Sequence, residues 1–210
     1  MDEPVKVKIC GITRREDALW AARCGADFLG LVFAESPRRV GHEQARCILE
    51  GFPHPVTWVG VFKDDPLEEV LETARRLGLG WVQLHGSEDL RYVQALQGEF
   101  RVLKAFEVKQ KTSLEKLEDY PGEWILLDRP KDSNHGWDYG KASRIAAHKK
   151  VFLAGNLRPE TVEEIAKKVR PFAVDVSRGV ERSAGIKDPR KVEAFVRATK
   201  KIAMKATLKT

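Results

Sequence analysis

Eight short runs rich in valine, isoleucine, leucine and phenylalanine recur along the chain, with more polar stretches between them. Successive runs begin 21 to 29 residues apart. A strand, a turn and a helix of about ten residues need roughly that length. Runs that are apolar at nearly every position are typical of parallel strands buried on both faces. The runs are Val5–Ile9, Phe28–Phe33, Thr57–Phe62, Trp81–Leu84, Val102–Phe106, Trp124–Asp128, Val151–Ala154 and Phe172–Val176.

The stretches between the runs carry helix signals. Proline stands at the start of several of them, and glycine follows the end of others, as the termini of helices favour. Helices are therefore predicted over Arg15–Cys24, Pro66–Leu77, Pro159–Val169 and Pro189–Ile202, with a short and weak one over Ser113–Tyr120.

Eight strand–helix units in one chain predict an α/β fold, a single (β/α)8 TIM barrel. We place the barrel over residues 1–204 and a basic C-terminal tail over residues 205–210. A doubly wound open sheet is the alternative. Such sheets often carry a glycine-rich dinucleotide fingerprint after the first strand, whereas this chain has Cys10-Gly11-Ile12-Thr13 there.

The composition fits one soluble domain, because 42% of the 210 residues are hydrophobic and 32% are charged. No stretch approaches the roughly 18 apolar residues of a membrane span, and the N-terminus shows no secretory signal. Cys10, Cys24 and Cys47 lack metal-type spacing, which favours reduced thiols in a cytoplasmic protein. The clearest excess within the net charge of +6 is in the C-terminal tail, and elsewhere lysine and arginine alternate with glutamate along helices. We interpret it as a solvated surface that favours anionic substrates rather than nucleic acid.

Polar residues, together with a cysteine and glycines, lie where the predicted strands end. A barrel brings the C-terminal ends of its strands to one mouth, where barrel enzymes place their chemistry. Each residue alone also has a structural explanation: Cys10 as a small core residue, or Asp175 as an ion-pair partner of Lys8 on the neighbouring first strand. Together they predict one site. The set comprises Cys10, Arg38, Gln83, His85, Asp128, Gly155, Asn156, Asp175, Ser177 and Arg178.

The loops after the seventh and eighth runs suggest a phosphate site. Barrels often bind phosphate between these two loops. Glycine lets the backbone approach an anion, and oriented N–H groups supply partial positive charge. The sequence therefore predicts phosphate binding by Gly155, Asn156, Ser177 and Arg178.

Seven stretches spread from the first predicted strand to the last carry a closer resemblance. They are Lys8–Thr13 (KICGIT), Ser36–Val40 (SPRRV), Val59–Phe62 (VGVF), Val82–Gly86 (VQLHG), Leu126–Asp128 (LLD), Leu153–Gly155 (LAG) and Val174–Glu181 (VDVSRGVE). In these stretches the chain resembles the phosphoribosylanthranilate isomerase family of tryptophan biosynthesis. The segment KICGIT at the end of the first predicted strand and the segment QLHG at the end of the fourth are, taken together, specific for this family.

The resemblance implies an Amadori rearrangement of N-(5′-phosphoribosyl)anthranilate to 1-(2-carboxyphenylamino)-1-deoxyribulose 5-phosphate. This intramolecular reaction runs by general acid–base catalysis and needs neither a cofactor nor a metal. The family's general base matches Cys10 and its general acid matches Asp128. The arginine that grips the anthranilate carboxylate matches Arg38.

A thiol base has to be ionised, and a free cysteine titrates near ~8.5. Cys10 therefore needs a nearby positive charge, and Lys8 is a candidate because residues two apart on a strand face the same side. We also expect Gln83, His85 and Asp175 among the substrate-binding residues. The expected partner is a small phosphorylated substrate, with no nucleic acid and no membrane, bound to a monomer or homodimer.

The chain departs from the family in the loop at 129–139, which is shorter and poorer in glycine and carries His135. Two alternatives stay open. One is a related sugar isomerase, either an epimerase or a bifunctional enzyme of the histidine and tryptophan pathways, for which aspartate rather than Cys10 is expected after the first strand. The other is a catalytically silent phosphate- or RNA-binding barrel, against which the presence of both Cys10 and Asp128 argues.

Overall fold

Eight parallel strands close into a barrel in the computed structural model, which describes residues 3–108, 112–113, 117–129 and 138–204. Each strand pairs with its neighbour in chain order, and β1 pairs with β8 through Lys8 and Asp175. That last pairing closes the sheet, so the open-sheet alternative is wrong and the TIM barrel is confirmed. The strands are β1 (Lys6–Cys10), β2 (Phe28–Val32), β3 (Thr57–Phe62), β4 (Trp81–Leu84), β5 (Arg101–Glu107), β6 (Trp124–Asp128), β7 (Lys150–Leu153) and β8 (Ala173–Val176).

Seven α-helices among the described residues cover the outside of the barrel. They are α1 (Arg15–Arg23), α2 (His42–Leu49), α3 (Leu67–Arg76), α4 (Leu90–Gln97), α5 (Tyr139–Ile145), α6 (Val162–Val169) and α7 (Pro189–Lys200). The predicted start of α6 at Pro159 is wrong, because residues 159–161 form a turn in which the Thr161 amide bonds to the carbonyl of Arg158, and the helix begins at Val162. The helix predicted over Ser113–Tyr120 lies partly outside the described residues.

The interior of the barrel is apolar at its N-terminal end. Side chains two apart on a strand face the same side, and the inward-facing cluster includes Phe28, Trp81 and Phe152. Their rings meet edge to face, with centroids 5.4 Å apart for Phe28 and Trp81 and 5.1 Å for Phe28 and Phe152. This aromatic packing fills the N-terminal end, which directs the search for a site to the C-terminal mouth.

A short hairpin that the sequence pattern did not predict follows β8. It consists of β9 (Glu181–Ser183) and β10 (Ile186–Lys187), which pair antiparallel. The hydroxyl of Thr13 donates to the carbonyl of Gly185, and the amide of Lys187 donates to the Asp17 carboxylate at 3.0 Å. These bonds hold the hairpin against the loop after β1 and bring its charged side chains to the mouth.

The first and last described segments meet at the N-terminal end of the barrel, where the amide of Val5 donates to the carbonyl of Ile202 at 2.7 Å. The predicted boundary at residue 204 stays a prediction, and the basic tail at 205–210 lies outside the described residues. No helix in the described part of the chain is long and apolar enough to span a membrane.

Candidate active site

The predicted base lies beside a fully buried ion pair. Cys10 ends β1, and the Nζ of Lys8, two residues earlier, lies 3.1 Å from Oδ1 of Asp175 on β8. This ion pair is the structural explanation that the sequence allowed for Asp175. Burial raises the pKa of the Cys10 thiol, and the charge and hydrogen bond of the Lys8 ammonium oppose that rise. Burial would lower the pKa of Lys8, but Asp175 and Cys10 outweigh it, so Lys8 stays protonated.

Gly30 on β2 makes room for this group. A Cβ at that position would lie 2.9 Å from the Cys10 Sγ and 3.3 Å from the Lys8 Nζ. Gly30 is paired with Cys10 in the sheet, so the missing side chain leaves the gap into which the thiol fits.

Gly30→Ala is expected to lower kcat by about 10-fold or more, because displacement of a reacting group by even 1 Å can cost about 100-fold. The crowding should also lower the free energy of unfolding by about 1–3 kcal/mol. Steady-state kinetics and urea unfolding measure the two effects. Gly80→Ala is the matched control, since a Cβ there meets nothing within 4 Å. Equal kinetics for both variants would show that Gly30 does not place the thiol.

The predicted acid lies beside a histidine. Asp128 ends β6, three strands from β1 around the barrel, and its Oδ2 lies 3.4 Å from Nε2 of His85. The side-chain amide nitrogen of Gln83 donates to Nδ1 of the same ring at 3.1 Å. With Nδ1 as the acceptor of this bond, the ring N–H lies on Nε2, the nitrogen that faces the carboxylate. Gln83 and His85 thus orient a donor toward Asp128.

Arg38 leaves the loop after β2 and forms a bidentate ion pair with the hairpin. Its Nε donates to Oε1 of Glu181 at 2.8 Å and its Nη2 to Oε2 at 2.6 Å. The Nζ of Lys187 donates to the same Oε1 at 2.9 Å and to the carbonyl of Cys10 at 2.6 Å. Burial alone would raise the pKa of Glu181, but the hydrogen bonds from Arg38 and Lys187 outweigh it and lower that pKa to about 2.

Gly11 allows Arg38 to cross the exit of β1. Its φ is +73°, and a Cβ there would lie 2.5 Å from Cδ of Arg38 and 3.0 Å from Oγ of Ser177. Glycine is therefore required both for the backbone angle and for the close approach. The arginine stem thus lies between the base on β1 and the loop after β8.

The two loops predicted to bind phosphate contact each other. The Nη2 of Arg178 donates to Oδ1 of Asn156 at 3.2 Å, which joins the loops after β7 and β8. Gly155 has φ +95° and Asn156 has φ +54°. A Cβ at Gly179 would lie 1.9 Å from the carbonyl oxygen of Leu157, so the second loop packs directly on the first.

The structure places all ten residues of the predicted set at strand ends or in the loops that follow them. It links them into four groups: Cys10 with Lys8 and Asp175, Asp128 with His85 and Gln83, Arg38 with Glu181, and the two loops predicted to bind phosphate. Sequence reasoning missed Glu181 as the partner of Arg38 and Lys187 as a partner of Glu181. The only signal for Lys187 was its position just before the Asp188-Pro189 helix start. His135 and residues 130–137 lie outside the described residues.

In the described ranges, no group of three or more histidine, cysteine, aspartate or glutamate side chains is arranged to hold a metal ion. The described titratable groups at the mouth are instead paired with one another.

Comparison with known proteins decides the family. The family described as N-(5′-phosphoribosyl)anthranilate isomerase matches residues 7–198. The chain belongs to the phosphoribosylanthranilate isomerase family. An isomerase of this name from Citrifermentans bemidjiense is 45% identical over 95% of this chain and 98% of its own length. The resemblance inferred from the motifs is thereby confirmed.

Solved structures of phosphoribosylanthranilate isomerases share the fold. The enzyme from Thermotoga maritima superposes with a TM-score of 0.88 at 37% identity, covering 94% of this chain and all of that one. Another structure, described as a complex with reduced 1-(o-carboxyphenylamino)-1-deoxyribulose 5-phosphate, superposes with a TM-score of 0.84 at 37% identity, with the same coverage. Membership in this family fits the composition of the mouth, which combines a thiol, a carboxyl group, an arginine and two glycine-containing loops.

Proposed function

We propose that this chain catalyses the Amadori rearrangement of N-(5′-phosphoribosyl)anthranilate to 1-(2-carboxyphenylamino)-1-deoxyribulose 5-phosphate in tryptophan biosynthesis. One observation carries the proposal: Cys10 and Asp128 end different strands of one barrel, so an acid and a base face the same mouth. Family membership over residues 7–198 supports it.

Asp128 is the proposed general acid. Opening of the ribose ring requires a proton on the ring oxygen, and a carboxylic acid can supply it. The carboxylate that remains after this transfer faces the Nε2 of His85 at 3.4 Å. A donor at this position stabilises the negative charge that develops on Asp128 as its proton leaves.

Cys10 is the proposed general base. Ring opening leaves an iminium ion that acidifies the C2–H of the sugar, and the thiolate removes this proton. The Lys8 ammonium stabilises the thiolate, while Asp175 holds Lys8 in place. In this proposal Asp175 contributes to the reaction by holding Lys8 beside the thiolate. This is a more specific role than the substrate binding expected from the sequence.

The remaining residues hold the two ends of the substrate. Arg38 binds the anthranilate carboxylate, because a guanidinium can form two parallel hydrogen bonds with a carboxylate. Gly155, Asn156, Ser177 and Arg178 bind the phosphate, largely through backbone N–H groups in the loops after β7 and β8.

Gln83 and His85 belong to the substrate-binding set of this proposal. Both lie at the end of β4, and their hydrogen bond of 3.1 Å fixes the imidazole beside Asp128. Asp128, Gln83 and His85 thus face the sugar part of the substrate, which lies between its carboxylate and its phosphate.

The proposal includes a cytoplasmic enzyme that works without a cofactor or metal, as a monomer or homodimer. The role in amino acid biosynthesis and the absence of metal-type cysteine spacing support it. The histidine-pathway alternative is not favoured, because Cys10 rather than an aspartate follows β1. The silent phosphate- or RNA-binding barrel is not favoured either, since both reacting groups are present.

The test is a fluorescence assay that follows the loss of phosphoribosylanthranilate generated from anthranilate and phosphoribosyl pyrophosphate. The wild-type protein is expected to turn over with a kcat of roughly 1–10³ s⁻¹, the usual range for enzymes. A parallel filter-binding measurement with RNA should show no specific binding. Absence of turnover together with measurable RNA affinity would favour the silent barrel.

A further inference from the structure

Arg38 contacts Glu181 through one edge of its guanidinium, and the hydrogen-bond donors of the other edge are not used in this contact. A guanidinium has five N–H donors. The pair with Glu181 employs Nε and one donor of Nη2. Among the described residues, no other acceptor bonds the guanidinium, so the edge formed by Nη1 and the second donor of Nη2 stays available. That edge has the spacing that a second carboxylate requires.

The charges of Arg38, Lys187 and Glu181 favour the binding of a second anion beside Arg38. Two cationic side chains, Arg38 and Lys187, face one carboxylate, Glu181. Burial lowers the pKa of Lys187 and the hydrogen bond with Glu181 opposes that effect, so with Lys187 protonated the cluster has one positive charge in excess. The Lys187 ammonium is 1% exposed and the Glu181 side chain 5% exposed. A substrate carboxylate would bring the cluster to neutrality, which favours its binding in a poorly solvated place.

We infer that Glu181 is a positioning residue: held by Lys187, it fixes Arg38 side-on so that the free end of the guanidinium grips the carboxylate of the substrate. This inference rests on the proposed function, which gives Arg38 its ligand. Glu181 sets specificity for an N-aryl group with an ortho carboxylate, and it does so without touching the substrate.

The hairpin explains why this position is rigid. Glu181 opens β9 and Lys187 lies on β10, so the two charges face each other across two paired strands. Lys187 also donates to the carbonyl of Cys10 at 2.6 Å. The Lys187 ammonium therefore holds both Glu181, the partner of Arg38, and the end of β1 that carries Cys10. This shared contact sets the distance between the positions of the aryl carboxylate and the C2–H of the substrate.

Glu181→Gln tests the inference with two substrates, phosphoribosylanthranilate and the carboxylate-free N-(5′-phosphoribosyl)aniline. We expect kcat/KM to fall roughly 10- to 100-fold for the first, mainly through KM, since misplacement by about 1 Å has such an effect. The value for the aniline compound should change less than about threefold. Arg38→Ala should give the same selectivity, and Glu181→Gln in the Arg38→Ala background should add little, as expected for two residues that act as a unit.

Two further variants keep the test decisive. Glu181→Asp retains the charge beside Lys187 but shortens the side chain, so a smaller loss with the same selectivity is expected even if Glu181→Gln unfolds. Ser183→Ala, on the exposed part of the same hairpin, should behave like the wild type.

Each outcome has one meaning. A wild type without turnover would contradict the proposed function, and an Arg38→Ala loss that is equal for both substrates would contradict the role of Arg38 as the carboxylate ligand. A selective Arg38→Ala loss with an equal or absent effect of Glu181→Gln would overturn the present inference. Tighter binding of phosphoribosylanthranilate by Glu181→Gln would also overturn it, because Glu181 would then compete with the substrate for Arg38.

Discussion

Cys10→Ser is expected to lower kcat/KM for phosphoribosylanthranilate by about 10²–10⁴-fold, the usual contribution of a general base. A serine hydroxyl ionises far less readily than a thiol, so the variant lacks a base at the end of β1. The fold should persist, because serine is slightly smaller than cysteine and Cys10 is only partly buried at the mouth. The fluorescence assay measures activity, and circular dichroism with thermal unfolding measures the fold.

The chain offers matched controls for this prediction. Cys47→Ser changes an exposed thiol on α2, and Cys24→Ser changes a partly buried one at the end of α1. Both should retain activity within about threefold, as surface changes away from a site usually do. Full activity in Cys10→Ser would contradict its assignment as the base.

The pH profile reports the environment of the same base. The thiolate is the active form, so kcat/KM should rise with pH as Cys10 loses its proton. Burial raises the pKa of Cys10, which moves this rise above the pH at which an ordinary thiol, with a pKa of about 8.5, ionises. In a Lys8→Met, Asp175→Asn double variant the rise should move to still higher pH, because the stabilising effect of Lys8 on the thiolate exceeds the repulsion by Asp175. A profile that moves to lower pH would show that Lys8 does not stabilise the thiolate.

The barrel could be predicted from the sequence because one physical rule fixes each part of it. Strands covered on both faces are apolar throughout, and the spacing between them leaves room for one helix. The site could be predicted as a set for the same reason: once the barrel is established, Asp128 and Cys10 must face the same mouth. The structural alternative for Asp175, an ion pair with Lys8, rested on the same rule, since β1 and β8 have to be neighbours in a closed barrel.

The ion-paired cluster of Arg38, Glu181 and Lys187 could not be predicted in this way. Glu181 and Lys187 lie on a hairpin of three and two residues, too short to leave a period in the pattern of apolar positions. Their contacts with Arg38 and Cys10 join segments more than 140 residues apart. Such contacts depend on the loop path, which turn-forming residues such as Gly185 influence only locally.

The interaction of His85 with Asp128 illustrates the same limit. Their strands, β4 and β6, are separated by β5, so strand order alone does not bring the two side chains together. The contact at 3.4 Å arises because His85 lies just beyond the end of β4 and reaches over the mouth. Both residues could be assigned to the site from the sequence, whereas the contact between their side chains is visible only in the structure.

Asp128→Asn is expected to lower kcat by about 10²–10⁴-fold with little change in the affinity for substrate. Asparagine has nearly the shape of aspartic acid and can keep the contact with His85, but it has no acidic proton for the ring oxygen. The carboxylate and phosphate of the substrate bind elsewhere, at Arg38 and at the loops after β7 and β8. Single-turnover kinetics with titration of the reduced product analogue would therefore separate a lost chemical step from lost binding.

Glu107→Gln is the matched control for the acid. Glu107 is the partner of Asp128 in the β5–β6 register and ends the neighbouring strand, so it is the carboxyl group best placed to act in place of Asp128. If Asp128 is the acid, Glu107→Gln retains most of the activity while Asp128→Asn loses it. The reverse result would assign the proton to β5. Comparable partial losses in both variants would contradict the assignment of Asp128 as the sole acid.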